Sequence, residues 1–513
     1  MSTIYNHIET KNKRIASNTV ILFIRMIIIM VINLYTVRII LKGLGEEDYG
    51  IFNAISGVVL TSTFIPSTLA NAIQRFYSFS LGINSKEQVK KIFSASINIT
   101  LILTIAIVLI LEFVGVWFIN TQMTIPTERL YAAEIIFHIT VAGFAINLIQ
   151  VPFTASVFSH EDMNIYAIIS MIDCFGRLTI AILMTYFITI DHLVFYSSGL
   201  FFVCICIFIF YFTVSLSRYN LKYLIIKEKA IYKKLLSFSS YTMYGTIAGV
   251  GMIQGTTILL NIFFGPLTNA AYNIGNQIYN AINALNNSII LSFRPAMIKS
   301  YASNEYSYLK RLFYASNKFL LYAMLCIAIP TIFEMPSILL WWLGDNISKE
   351  TIIFSQLFVI YCVIIAMHNP ITIIIQANGN IKYYYICVET ITIMCLPITW
   401  VFFKLGMPAY GAFVSMISTG LLSHIIRIKC LKKNFKSFSY REYINMALIA
   451  LVILLVASFC CYFIQTIPQN SYRVLMTYGI TTTIILLLVF LIAINKEEKK
   501  MIKLLFKQLF TNK

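Results

Sequence analysis

Long apolar runs separated by short polar breaks fill this chain from about residue 17 to residue 495. They predict helices at about 17–41, 50–74, 92–118, 130–156, 164–188, 192–216, 236–264, 268–298, 311–333, 351–377, 381–403, 408–427, 442–466 and 473–495. That is roughly fourteen spans, each near the ~20 residues that the hydrocarbon core of a bilayer requires. The eighth is the least hydrophobic. It carries asparagine at 269, 273, 276, 280, 283 and 287, steps of four and three that put every amide on one face of a helix. Arg294 lies seven residues further on and extends the stripe. An amide left unsatisfied in hydrocarbon costs several kcal/mol, and a helix–helix seam needs fewer than six in register. A hydrated groove satisfies them all. The second span shows a fainter polar face in Asn53, Ser56, Thr63, Ser67 and Asn71, leading to Arg75.

Composition agrees with the pattern. Of 513 residues, 59% are hydrophobic and 12% charged, more apolar surface than a soluble domain can hide. The fold class is an all-α polytopic membrane protein. The N-terminus "MSTIYNHIETKNKRIASN" is polar and basic, and the apolar run after it is too long for a signal-peptide core, so the first span reads as an uncleaved anchor. Ten cysteines sit mostly inside spans, with neither metal-ligand spacing nor a disulfide framework. No cofactor or metal is called for.

The net charge of +18 is unevenly placed. With the N-terminus in the cytoplasm, inner segments hold roughly 29 Lys and Arg and outer loops about five: Lys42, Arg129, Lys349, Lys404 and Arg473. This bias places both termini in the cytoplasm and makes the charge a topology signal, with contact to anionic lipid heads as a by-product. Nucleic acid is not needed to explain it.

The chain also repeats. "KKIFSAS" (90–96) returns as "KRLFYAS" (310–316), 220 positions later, and at that offset Ser17 maps to Ser237 and Gly45 to Gly265. "VPFTASVFSHEDMNIYAI" (151–168) resembles "NPITIIIQANGNIKYYYI" (369–386) at offset 218, matching Pro152 to Pro370, Thr154 to Thr372 and Tyr166 to Tyr384. The implied organisation is a six-helix lobe over 1–216, a basic cytoplasmic linker over 217–235, a second six-helix lobe over 236–430, and two further helices with a basic tail over 431–513. Six helices is an even number, so the lobes are parallel repeats, and in transporters built this way substrate sites lie where the repeats meet.

Ionisable groups inside spans are costly and usually face a cavity or a partner. Arg25, Asp173, Lys318 and Glu389 all lie about 10–14 Å from the cytoplasmic ends of their helices. Arg75 and Arg294 sit near cytoplasmic ends at matching repeat positions. Asp173 and Arg177, four residues apart, form either an intrahelical ion pair or part of a coupling site. Glu389 is either a cation-coupling carboxylate or a partner for an arginine. His138, His368 and His424 read as core or interface histidines. Amides and hydroxyls suit sugar hydroxyls, and guanidinium forks suit phosphate. The polar faces therefore read as the wall of a path for something hydroxylated and anionic.

The stretch "ASNTVILFIRMIIIMVINLYTVRIILKGLGEEDYGIFNAISGVV" (16–59), with its G-x-x-x-Y-G turn at Gly45 to Gly50, resembles the opening of bacterial polysaccharide flippases of the MOP (multidrug/oligosaccharidyl-lipid/polysaccharide) superfamily, and "NAIQRFYSFSLG" (71–82) is similar to the end of their second helix. The resemblance implies a Wzx-type O-antigen or capsule flippase of the bacterial inner membrane. Such proteins move undecaprenyl-pyrophosphate-linked oligosaccharide between leaflets by alternating access. It implies pyrophosphate contacts for Arg25, Arg75 and Arg294, with sugars along Asn273, Asn276, Asn280, Asn283 and Asn287. Lipid-linked oligosaccharide and membrane lipids are then the partners, alongside polysaccharide polymerase or ligase machinery. A rival on the same fold is a cation-coupled exporter of small amphiphiles, with Asp173 or Glu389 as coupling carboxylate. An enzyme is not expected: the longest outer loop, about 334–350, holds no convergent constellation, and no ATP-binding loop is present.

Overall fold

The structure, a computed structural model, describes residues 2–60, 64–122, 126–186, 191–344, 348–468 and 470–494. Among them are fifteen α-helices and no strand. They are α1 (Ser2–Leu60), α2 (Phe64–Gly82), α3 (Lys86–Gln122), α4 (Leu130–Ser159), α5 (Met163–Met184), α6 (His192–Ser217), α7 (Lys229–Phe264), α8 (Pro266–Ala302), α9 (Tyr306–Phe333), α10 (Met335–Leu343), α11 (Lys349–Asn378), α12 (Lys382–Lys404), α13 (Gly411–Asn434), α14 (Tyr440–Ile464) and α15 (Ser471–Leu488). Twelve of these regions are long and apolar enough to cross a membrane. The amide-bearing α8 and α2, which begins where the undescribed residues 61–63 end, are not among the twelve.

Local chemistry sets the helix ends. Asp191 caps α6 by accepting from the backbone N–H groups of Leu193 and Val194, and Ser348, Ser439 and Asn470 do the same for α11, α14 and α15. As the two spans expected at 17–41 and 50–74 require, α1 is two helical runs that meet at a kink, Gly45 (φ 78°, ψ 172°). Gly265, in front of α8, has the same backbone (φ 83°, ψ −176°). A side chain would be strained at either position. Asn84 (φ 55°) and Asn304 (φ 59°) form a second pair at the 220 offset. Glu161 (φ 62°) and Gly379 (φ 85°) form a third at offset 218. The repeat is thus written in backbone turns as well as in side chains.

The chain divides into two compact units, Ala16–Thr246 and Ile247–Lys513, the latter also taking Met1–Ile15. In the first, α4 is central and packs against α2, α3 and α6 around Phe93, Phe137, Leu148 and Phe153. In the second, its counterpart α11 packs against α8, α9 and α13. The division falls inside α7, later than the expected linker, because α7 already starts at Lys229 and only 218–228 is left outside a helix. The last two helices are no separate appendage: Ala450, Ile453, Ala457 and Cys461 of α14 and Ile485 of α15 share a core with Leu321, Leu325 and Ile329 of α9. The basic C-terminal tail from 495 onward lies outside the described residues.

The segment expected as the longest outer loop instead holds α10 and a buried ion pair. Glu334 is fully buried and its carboxylate accepts from Arg473 Nε (3.1 Å) and Nη2 (2.9 Å), Thr477 (2.9 Å) and Ser337 (3.0 Å). Burial pushes the Glu334 carboxyl up, but Arg473, Thr477 and Ser337 outweigh it and hold the group below the ordinary carboxylate range. Its folded pKa is therefore below its unfolded one. The pair's contribution is complete above the unfolded value of about 4.3 and is lost as pH falls through the folded one. Replacing Arg473 with Met is expected to cost about 3–5 kcal/mol, because the carboxylate stays buried without its cation. The check is a thermal melt of the purified protein at neutral pH; an unchanged midpoint would mean the pair does not hold α15.

Candidate functional site

In the C-terminal unit, α8 is shaped by its contact with α11. Gly275 lies so close to it that an added Cβ would sit 2.8 Å from Phe358 Cδ2 and 3.2 Å from the Ser355 backbone nitrogen. Tyr272, fully enclosed, packs on Phe358 and Phe413 at 4.9 and 5.7 Å between ring centroids. Ala271, Gly275, Ile282, Asn286 and Ile289 are buried along the same face. This packing holds a helix whose asparagines favour it poorly. At the N-terminal end of α8, Thr268 donates to Glu350 of α11 at 2.9 Å.

The amide stripe lies roughly a third of a turn round from that buried face. Asn273, Asn280 and Asn287 are exposed, and Asn276 and Asn283 are half-buried. Asn273 donates back to the Asn269 carbonyl at 3.0 Å, and Asn283 Oδ1 accepts from Asn286 at 3.5 Å. Arg294 is half-buried at the far end of the stripe. Its Nη2 donates to Gln376 Oε1 at 2.7 Å, and Gln376 Nε2 donates to the Tyr385 hydroxyl at 2.8 Å. Gln376 is neutral, so this contact orients the guanidinium without taking its charge.

In the N-terminal unit, Arg25 of α1 is half-buried. It donates from Nη1 to Ser170 Oγ at 3.3 Å and lies 4.5 Å from the centroid of the Tyr166 ring. Arg75 of α2 is buried, with its guanidinium at 4.6, 5.1 and 5.3 Å from the rings of Phe76, Phe79 and Phe238. On the fainter polar face, Ser67 is exposed and Ser56 and Asn71 are half-buried; Thr63 and the Asn53 side chain lie outside the described residues.

Both candidate coupling carboxylates are ion-paired. Asp173 accepts from Arg177 Nε at 3.0 Å. Glu389, buried, pairs with Arg427 Nη2 at 3.3 Å. Arg427 Nη1 also donates to Thr372 Oγ1 (3.0 Å) and to the Tyr384 hydroxyl. Arg427 closes the helix expected at 408–427 and is followed by Lys429, Lys432 and Lys433, so nothing local in the sequence sets it apart from a basic inner segment, and Gln376 and Tyr385 carried no signal either. A signal was present in the matched pair Tyr166 and Tyr384. Each of these tyrosines carries an arginine over its ring, Arg25 at 4.5 Å and Arg427 at 5.2 Å.

One of the three histidines differs from expectation. His138 is not in a core; it is exposed and paired with Glu112 at 2.7 Å. His368 is buried and stacks on His424 with centroids 5.2 Å apart. His424 Nε2 lies 3.2 Å from the Tyr443 hydroxyl. Among the described residues no group of His, Cys, Asp and Glu could hold a metal ion.

Solved structures similar to this chain include MATE proteins and transporters of the MOP superfamily. A MATE transporter in a bent conformation aligns with TM-score 0.70 and 14% identity over 83% of this chain and 97% of that one. An outward-facing multidrug resistance MATE transporter of the same superfamily gives 0.69 and 12%, over 83% and 96%. A MOP superfamily transporter from Pyrococcus furiosus, described as having a binding pocket of reversed polarity, gives 0.67 and 13%, over 82% and 96%. No protein-family model matches the sequence, and no curated protein matches it. The fold is that of MATE transporters; at these identities the likeness speaks to fold alone.

Because the face of α8 opposite to solvent depends on the absent side chain at 275, Gly275→Ala should force Phe358 or α11 to shift and cost about 1–3 kcal/mol. A thermal melt of the purified protein checks this, and a melt equal to the parent's would show that the seam yields freely.

Proposed function

We propose that the chain is a membrane transporter that flips undecaprenyl-pyrophosphate-linked oligosaccharide across the bacterial cytoplasmic membrane. The observation that carries the reading is the outward-facing amide row Asn273, Asn276, Asn280, Asn283 and Asn287. Against lipid each amide would cost several kcal/mol. Against water, and against the hydroxyls of a sugar chain, each can donate and accept. Arg294 stands at the end of the row, so one helix offers sugar-type and phosphate-type contacts in succession. Arg25 and Arg75 are the pyrophosphate contacts proposed for the N-terminal unit. Polymerase or ligase machinery would then receive the flipped glycan.

The exporter reading has its own support, since similar structures include a multidrug resistance transporter. It needs a carboxylate free to take up a cation. Asp173 and Glu389 are both engaged by arginines, which weighs toward the flippase.

Deleting the gene in its native host is expected to leave lipid-linked oligosaccharide on the cytoplasmic side and to remove surface polymer. Normal surface glycan with altered sensitivity to small amphiphiles would favour the exporter instead. In the complemented strain, Arg294→Ala should abolish surface polymer with the protein still in the membrane. Each stripe asparagine replaced by Ala should weaken substrate binding by about 1 kcal/mol, or roughly five-fold. Full activity of Arg294→Ala would remove that residue from the site.

A further inference from the structure

The non-helical stretch between α6 and α7 is fixed along one face of α3. The Leu224 backbone N–H donates to Ser94 Oγ at 2.8 Å, the Tyr223 hydroxyl donates to Asn98 Oδ1 at 3.0 Å, and Glu228 pairs with Lys91 at 2.9 Å. Leu221 is buried beneath it, 2% exposed. The contacts climb α3 at Lys91, Ser94 and Asn98, spacings that share one helix face. α3 has 37 residues, about 55 Å against a hydrocarbon core of about 30 Å, so its first turns project beyond the bilayer. Its apolar outward face begins at Leu101 and Ile102, only one turn past Asn98. The strap therefore ends at the rim of the lipid-facing belt.

Firmly held as it is, the strap turns apolar side chains outward. Tyr223 is 52% exposed, Leu224 40% and Ile225 84%. Lys222, Lys227 and Lys229 flank them and are exposed. The acid within this run, Glu228, is taken by Lys91. Apolar tips with a cationic border, at the depth where hydrocarbon begins, match the boundary between phospholipid headgroups and acyl chains. A soluble partner would account for the apolar tips but not for their level on α3.

We propose that residues 222–229 are an interfacial anchor for anionic phospholipid: Tyr223, Leu224 and Ile225 enter the headgroup–acyl boundary beside α3, and Lys222, Lys227 and Lys229 hold acidic headgroups. The anchor is a lipid site on the loop between α6 and α7, within the N-terminal unit, and does not depend on what is transported. Each lysine adds about five-fold to the preference for acidic lipid.

The test places a tryptophan at the most exposed position, Ile225→Trp, in the full-length protein in nanodiscs. The native Trp117, Trp341, Trp342 and Trp400 are common to parent and variant, so the difference emission reports position 225. Acyl-brominated phosphatidylglycerol, present as a minor fraction in phosphatidylcholine, should quench that emission far more than the same fraction of brominated phosphatidylcholine. Adding K222Q, K227Q and K229Q should make the two lipids quench alike. Emission at 225 that neither lipid quenches would overturn the anchor. Equal quenching by both lipids before the lysines are changed would overturn its selectivity for acidic headgroups.

Discussion

A lipid tail can neither donate nor accept a hydrogen bond, so every polar side chain on a spanning helix must be answered by the chain itself or by water. That constraint sorts the polar groups of this protein. Thr399 and Ser415 answer each other in a buried contact between α12 and α13, and Ser156 meets Ser215 at 2.8 Å between α4 and α6. Many other hydroxyls return to a carbonyl one turn back, as Thr104 does to Thr100 at 2.7 Å. The charges of Glu334, Arg473, Glu389 and Arg427 cancel in pairs. The amides on α8 are met this way only in part, Asn273 by the Asn269 carbonyl and Asn283 by Asn286, and water is the solvent that suits the exposed side of the row.

The duplication shows how a fold can be kept while its chemistry diverges. The three pairs of left-handed turns coincide between units because the turns set where helices start and stop. Near the first pair, Asp48 is held by Arg129 at 2.8 Å in one unit, and Thr268 by Glu350 at 2.9 Å in the other. Asp48 and Thr268 are equivalent by the 220 offset, and in both units the partner comes from the start of the central helix or the turn before it. The fastening is preserved while its charges are exchanged for a neutral donor. The tyrosines 166 and 384 repeat the theme, since the arginine over each comes from a different helix, α1 in one unit and α13 in the other. Position is inherited; the partner is not.

Much of the architecture was legible because hydrophobicity in a membrane chain is nearly one-dimensional. Span number and the internal repeat follow from runs and spacings. The unread features depend on where helices touch. Nothing local distinguishes Arg427 from the lysines that follow it; only the approach of Glu389 on α12 makes it a buried ion-pair partner. Glu334 was hidden likewise, because its partner lies 139 residues away. The kink at Gly45 was legible as a turn with helix on either side, because a G-x-x-x-Y-G turn lies between two apolar runs. The amide stripe was legible as a face, whereas its outward direction is decided by Gly275 drawing the other side of α8 onto α11.

The same seam bears on what kind of cargo the stripe suits. Two amides of the row meet each other, Asn273 Nδ2 donating to Asn269 Oδ1 at 3.2 Å, and the packing of the opposite face sets how the rest are presented. The close fit at Gly275, Tyr272 and Phe358 fixes the rotation of α8. Asn273, Asn280 and Asn287 are therefore presented at seven-residue intervals, about 10 Å apart along the axis. Point-like cations gain little from such spacing, for amide oxygens this far apart cannot converge on one ion. An extended chain of hydroxyl groups can meet them one after another. The geometry of the seam, more than the polarity of any residue, is what makes the stripe compatible with the elongated, hydroxylated substrate of the proposed function.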